Sequence, residues 1–459
     1  MAAVYTQGPI ARGMIKTALA MIPATLALSG YNLVDAYFVG RLVGKTAADA
    51  PMAAMGFTLP VVMLIGCFFH GLGIGVSAPT AQALGGNKLE RAAKGSTSGV
   101  LLILFFSILT AIVGMGCVKG VFSSFGAQGE VLDLVIEYMD IWYFGCATAS
   151  IAMAGHSLLI SVGDNKIASA LMMTGMIINA ILDPLFIFGW GIFPALGIKG
   201  AALATIFAQA TGGSISMYVL WKKHRLIRFR KIPVPELRNY WIVTMRYAIP
   251  ASLGMLMMPV GMTVITKLTA SFGTAAMAGC TAAGRLETIA FVVPMSLGMT
   301  LTPFIAQNYG ARRFDRIKEG LLFAFRFALV FLVGSAVLFA LLARVIAPHF
   351  CNSPEAQNVM ARCIMISVWG LAGVEVHRFS GFSYTGCGRP TGAALLNGMR
   401  FLVFLIPFSL IAWWMHSLNG LFVARLAADI LSGVIGAFLA LRSINAKIRE
   451  QKKNDLQSR

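Results

Sequence analysis

Apolar residues run along this 459-residue chain in long blocks separated by short polar breaks. Each block of about 20 residues or more is long enough to cross ~30 Å of hydrocarbon as a helix. The pattern predicts twelve spans, over 14–39, 51–84, 95–118, 131–162, 167–189, 198–222, 240–273, 275–309, 316–346, 356–387, 391–415 and 418–445. The first block has no short apolar region followed by a small-residue cleavage site, so it is expected to stay as a span. The expected fold class is an all-α polytopic membrane protein.

The polar breaks repeat. QALGGNKLERAAKG (82–95) matches QNYGARRFDRIKEG (307–320) at an offset of 225, pairing Gln82 with Gln307 and Arg91 with Arg316. AMIPATL (20–26) matches YAIPASL (247–253), and SVGDNKIASALM (161–172) lies opposite TGCGRPTGAALL (385–396). Two six-helix lobes are therefore expected, at 1–222 and 240–446. A basic linker at 223–239 joins them, and a tail follows at 447–459. An even number of spans per half gives both the same orientation, hence pseudo-two-fold symmetry about the membrane normal. Secondary transporters are built this way, with their substrate between the halves.

Against this apolar background two carboxylates stand out. Asp35 closes the run MIPATLALSGYNLVD, and Asp183 sits in GMIINAILDPLFIFGWGIF, with no Lys or Arg within a helical turn of either. A charged acid at membrane depth costs at least ~2.5–3.5 kcal/mol on insertion scales. Low dielectric makes it cheaper protonated than charged, so such a group can bind and release a proton or a cation. Asn32 stands at i,i+3 from Asp35, and Asn179 at i,i+4 from Asp183, so each amide shares a helix face with its acid. At 1.5 Å per residue, Asp35 lies ~30 Å along an outward-running first span, Asp183 ~24 Å along the fifth, and Thr205 ~10 Å down the sixth from outside. All three fall in the outer half of the membrane. In the second half Asp35 and Asp183 have their counterparts near Met262 and Phe408, so coupling is expected in the first half. Interhelical glue is the plain alternative for the two amides. Pro23 removes a backbone bond upstream of Asp35 and marks a place for the first helix to bend. A static packing kink would look the same.

Composition narrows the partners. Charged residues make up only 12% of the chain, yet the net charge is +19. Most Lys and Arg fall in the N-terminus, the even-to-odd loops and the C-terminus. The positive-inside rule then places both termini in the cytoplasm. WKKHRLIRFRKIP (221–233) reads as a basic loop at an anionic membrane face rather than a nucleic-acid site. The seven cysteines form no CxxC and the six histidines do not cluster, so no metal and no cofactor are expected. No phosphate-cradling loop or nucleophile elbow appears, so the chain is not expected to be an enzyme. GLGIG (71–75) lies inside a span and is expected to serve close helix packing. Arg425 and Asp429 form an i,i+4 pair, and Glu375 has Arg378 at i+3, so ion pairs are expected there. Glu287, Glu375, Tyr37 and His156 are candidates for a substrate cavity. The 25 Met and 31 Phe would suit a deformable pocket for aromatic cations, or simply lipid.

NAILDPLFIFGWG followed by GIKGAALAT (197–205) resembles the N..LDP…G..GAA.AT signature of the multidrug and toxic compound extrusion family. DAYFVGRLVG (35–44) resembles the end of that family's first helix, and AQALGGNKLERA (81–92) its loop after the second. The resemblance spans nearly the whole chain and is closest to the DinF branch. It implies a cation-coupled efflux pump in which Asp35, Asn179, Asp183 and Thr205 match a buried network and Pro23 matches a proline that bends on protonation. The NorM branch's seventh-helix Glu is missing here, which favours a proton over sodium as the coupling ion.

The expected function is proton-coupled export of lipophilic, often cationic drugs and dyes. The expected setting is a bacterial inner membrane, with the protein acting as a monomer. The alternatives are sodium-coupled drug efflux and a flippase for a lipid-linked saccharide. The flippase would favour a basic cavity, and unpaired Lys or Arg are scarce in these spans.

Overall fold

The computed structural model describes residues 4–40, 50–189, 194–228 and 232–457; within them, the side chains of residues 29, 32, 33, 35, 36, 40, 51 and 52 are outside the description. After a short 3-10 turn at Val4–Thr6, twelve long helices follow. They are α1 (Ile10–Gly40), α2 (Ala50–Gly85), α3 (Leu89–Ser124), α4 (Gly129–Ser161), α5 (Asn165–Phe188) and α6 (Ile198–Lys222). The second set is α7 (Val234–Ala270), α8 (Thr274–Gly310), α9 (Phe314–Phe350), α10 (Pro354–Gly386), α11 (Pro390–Trp414) and α12 (Leu418–Gln457). A 3-10 turn at Val368–Gly370 interrupts α10, and a π-helical stretch at Met399–Leu405 interrupts α11. No strand occurs among the described residues. All twelve helices are long and apolar enough to cross a membrane. Large apolar side chains such as Phe144, Val330 and Trp414 are more than three-quarters exposed, as lipid-facing positions should be.

The helices overrun the predicted spans. The span expected at 95–118 is helical from Leu89 to Ser124, and the expected tail is helical through Gln457. The linker expected at 223–239 shrinks, because α7 begins at Val234. Hydropathy marks only the apolar middle of a helix, while Lys, Arg and Glu at its ends are also good helix formers.

The internal repeat is written in the turns. After α2, Gly86, Asn87 and Lys88 donate backbone bonds to Gln82, Leu84 and Ala83. After α8, Ala311, Arg312 and Arg313 do the same to Gln307, Tyr309 and Asn308, and Asn87 and Arg312 both turn left-handed at φ 56° and 57°. The turns after α4 and α10 match as well. Gly163 and Gly388 occupy the positive-φ position there, at 87° and 81°. Glycine suits that conformation because it has no Cβ. Another break has ordinary capping: Ser353 Oγ accepts from Ala356 N at 3.2 Å, and Pro354 opens α10.

The chain divides into two compact units, but not at the expected linker. Unit 1 takes in Ala20–Ser252; unit 2 takes in Leu253–Arg459 together with Ala3–Leu19. Each half thus lends the start of its first helix to the other unit. In unit 1 the beginning of α7 is held by Lys94–Glu236 at 2.9 Å and by Trp241 Nε1 donating to Ser98 O at 3.0 Å. Gly71 and Gly75 of GLGIG let α7 approach closely: a Cβ on Gly75 would lie 2.5 Å from Thr244 O. In unit 2 the N-terminal turn docks on α8 and α9. Tyr5 N donates to Gln307 Oε1, Asn308 Nδ2 to Tyr5 O, and Arg313 to Thr6 O. Composition could not disclose this exchange, since it depends on which faces fit.

Candidate functional site

In unit 1, Gly175, Asn179 and Asp183 line one face of α5 at intervals of four residues. Asn179 and Asp183 are fully buried. Asn179 Nδ2 lies 3.4 Å from Asp183 Oδ1 and 3.3 Å from Thr205 Oγ1 on α6. Thr205 donates its own proton to Ala201 O at 3.1 Å, so its hydroxyl can accept from the amide. Asn179 Oδ1 has no hydrogen-bond partner among the described residues. Three of the sequence-predicted residues therefore meet in one buried network. Its bonds are long for N–H···O geometry, which leaves room for them to shorten or rearrange.

Asp35 and Asn32 lie in α1, but their side chains are outside the described residues. The flanking contacts still place their helix. The Tyr31 hydroxyl sits over Gly175, where a Cβ would collide with it. Further along, the Phe38 and Phe188 rings meet edge to face at 6.3 Å, and Val39 packs with Ile187 and Ala201. Asp35 falls between these contacts on α1; Asn179 and Asp183 fall between them on α5. Pro23 is half-buried in α1, just past the point where the helix passes from unit 2 to unit 1.

The proposed cavity residues scatter. Tyr37 is exposed and touches Phe38 edge-on at 5.2 Å. His156 is half-buried on α4, and its Nδ1 has no hydrogen-bond partner among the described residues. Glu287 is buried rather than open: Arg425 holds it through Nη2–Oε2 at 2.5 Å and Nη1–Oε1 at 3.3 Å, and Ser367 Oγ, which donates to Cys363 O at 2.5 Å, lies 3.4 Å from it. Arg285, its neighbour in sequence, is exposed. Glu375 is fully buried, with Arg378 Nη1 on Oε2 at 2.9 Å.

The expected Arg425–Asp429 pair is the weaker contact of each partner. Nε of Arg425 stands 3.8 Å from Asp429 Oδ2, while Arg400 grips Asp429 Oδ1 at 2.7 and 3.1 Å. Helical spacing revealed the i,i+4 contact and could not reveal partners on other helices. Arg400 was missed for that reason, although a lone arginine inside an apolar run was the available signal. His377 was missed too; its ring lies 3.1 Å from Asn397 Oδ1 and 3.3 Å from Ser432 O. No cluster of three or more His, Cys, Asp or Glu able to hold a metal occurs among the described residues.

Twelve membrane-length helices, a six-helix repeat and a buried amide–acid–hydroxyl network define a repeat-built membrane transporter. The MatE family model matches residues 20–185 and 250–411, one stretch in each half. The chain belongs to that family, the multidrug and toxic compound extrusion transporters, and is a multi-pass membrane transporter rather than an enzyme. Over 95% of its length it is 30% identical to the FAD transporter of Shewanella oneidensis, covering 95% of that protein. It is 22% identical to the multidrug export protein MepA of Staphylococcus haemolyticus, covering 95% of this chain and 94% of that one. The crystal structure of the Vibrio cholerae MATE transporter VcmN in the bent form superposes with a TM-score of 0.88 at 26% identity, covering 95% of this chain and 98% of that one.

Proposed function

We propose that the chain exports lipophilic, often cationic compounds against an inward flow of protons, with coupling in unit 1. The observation that carries this reading is the fully buried Asn179–Asp183–Thr205 network. It lies on the stretch of α5 bracketed by the same α1 contacts that bracket Asp35. No Lys or Arg stands within a turn of either acid, so neutrality is reached most cheaply by taking up a proton. Uptake can drive a cycle only if one global state binds the proton better than the other. Pro23 gives α1 a place to respond, because its helix lacks one backbone bond there. The reading carries with it a bacterial inner membrane, cytoplasmic termini and a monomer.

The test is dye efflux from proteoliposomes under an imposed pH gradient or an imposed sodium gradient. Efflux should follow the proton gradient and disappear in Asp35→Asn and Asp183→Asn proteins that still insert. Efflux that tracks sodium at fixed pH would overturn the coupling assignment.

A second reading is favoured by the 30% identity, over nearly the whole length of both chains, to a protein named as an FAD transporter. On that reading the cargo is a flavin dinucleotide, an anion rather than a cation. Counterflow of FAD and of a cationic dye in the same vesicles separates the two.

A further inference from the structure

Three arginine–carboxylate pairs in the helices of unit 2 are balanced in charge but not in exposure. Glu287 and Asp429 are sunk, with side chains 5% and 1% exposed, while their partners Arg425 and Arg400 are 31% and 14% exposed. The Glu375–Arg378 pair repeats the pattern at 0% and 30%. In every pair the acid is covered and the arginine side chain is the more exposed partner. The more exposed member of each pair is therefore the cationic one, although the formal sum of the pairs is zero.

Two of the arginines act together. Both approach Asp429: Arg400 hydrogen-bonds Oδ1, while Arg425 Nε stands 3.8 Å from Oδ2 in a longer ionic contact, so the two arginines flank one carboxylate. The forks are only partly used. Arg400 spends Nε and Nη2 on Asp429, and its Nη1 has no hydrogen bond among the described residues. Arg425 spends Nη1 and Nη2 on Glu287, leaving one proton on each unassigned. Arg400 sits in the π-helical stretch Met399–Leu405, ~15 Å from the start of α11. Such stretches recur at functional sites.

We propose that Arg400 and Arg425, held by Asp429 and Glu287, form a recognition site for a phosphate or diphosphate group. Paired guanidinium forks match phosphate oxygens in geometry and charge. The two acids keep the arginines oriented when the site is empty. The inference deepens the second reading by giving the dinucleotide's charged bridge a seat. It also makes unit 2 the anion-selecting half. The phosphate could belong to a soluble nucleotide or to a lipid headgroup.

The test uses the full chain in nanodiscs, with inorganic pyrophosphate, ADP and adenosine as probes and calorimetric binding as the readout. Pyrophosphate and ADP should bind and adenosine should not. Arg400→Lys and Arg425→Lys keep the charge but lose the fork, and each should weaken pyrophosphate binding at least tenfold with an unchanged thermal melt. If a Lys variant melts early, the paired variant Arg400→Gln with Asp429→Asn decides, since that substitution pair leaves no charge of the pair unmatched. Lost binding in a folded paired variant supports the site; retained binding overturns it. Absence of pyrophosphate binding by the unaltered protein also overturns it. Nanodiscs with and without phosphatidylglycerol separate the sources: arginine-dependent competition by that lipid assigns the site to a headgroup, and its absence to a soluble phosphate. Pyrophosphate binding without dinucleotide counterflow would sink the second reading and leave the site standing. Dinucleotide counterflow that ignores both arginines would do the reverse.

Discussion

Removing Arg425 should expose how the buried charges of unit 2 depend on one another. In Arg425→Gln, Glu287 stays buried with its two closest donors gone; Ser367 Oγ remains 3.4 Å away, its proton directed to Cys363 O at 2.5 Å. Breaking a buried ion pair from one side costs ~3–5 kcal/mol, because the surviving charge is neither solvated nor matched. The lower part of that range applies, ~3 kcal/mol, since Arg425 is partly exposed and Asp429 keeps its shorter contact with Arg400. Glu287→Gln alone should cost less, because the released guanidinium retains Asp429 at 3.8 Å and some exposure. The double variant Arg425→Gln with Glu287→Gln removes both charges, and it should recover ~2 kcal/mol relative to Arg425→Gln. The assay is denaturant unfolding of the four proteins in one micelle composition, treated as a double-mutant cycle. An Arg425→Gln loss below ~1 kcal/mol, or a double variant no better than the single, would refute the reasoning.

Three further outcomes are expected. Thr205→Val takes away the hydroxyl that accepts from Asn179, leaving a buried donor unmet at a cost of ~1–3 kcal/mol, and should slow proton-driven dye efflux without abolishing it; wild-type rates would detach Thr205 from the network. Gly75→Val would press a side chain onto Thr244 O, 2.5 Å from the new Cβ, and should lower the thermal melt by the equivalent of ~1–3 kcal/mol; an unchanged melt would show that α2 and α7 can separate freely. Asp164, outside the spans, is pushed up by burial but held below the usual carboxylate range by Lys223 at 2.6 Å and His224 at 2.9 Å. A depressed carboxyl stabilises the fold above its unfolded value of ~3.9 and loses that contribution as pH falls through the folded value. Asp164→Asn should therefore melt early at neutral pH, with the gap closing in acid; a gap constant down to strongly acidic pH would contradict the pairing.

Much of the unit 1 site was legible because it is local. Asn179 and Asp183 share a face by spacing alone, and Thr205 lies in a motif with a family resemblance. Unit 2 was less legible. The acids at 287, 375 and 429 could be seen, and the i,i+3 and i,i+4 partners at 378 and 425 with them. The dominant partners of Glu287 and Asp429 lie 138 and 29 residues away on other helices.

The sequence by itself determined twelve spans, their repeat and the membrane setting. Hydrophobic length and the positions of polar breaks are properties of the chain read in order. Only the tertiary structure decided that each half lends a helix start to the other unit, and that Arg400 rather than Arg425 is the close partner of Asp429. It alone decided which end of each buried ion pair remains accessible. Those outcomes depend on which helix faces meet at close range, where a glycine at 75 or a hydroxyl at 205 fits a particular neighbour. Periodicity names the face of a helix; packing chooses what it meets.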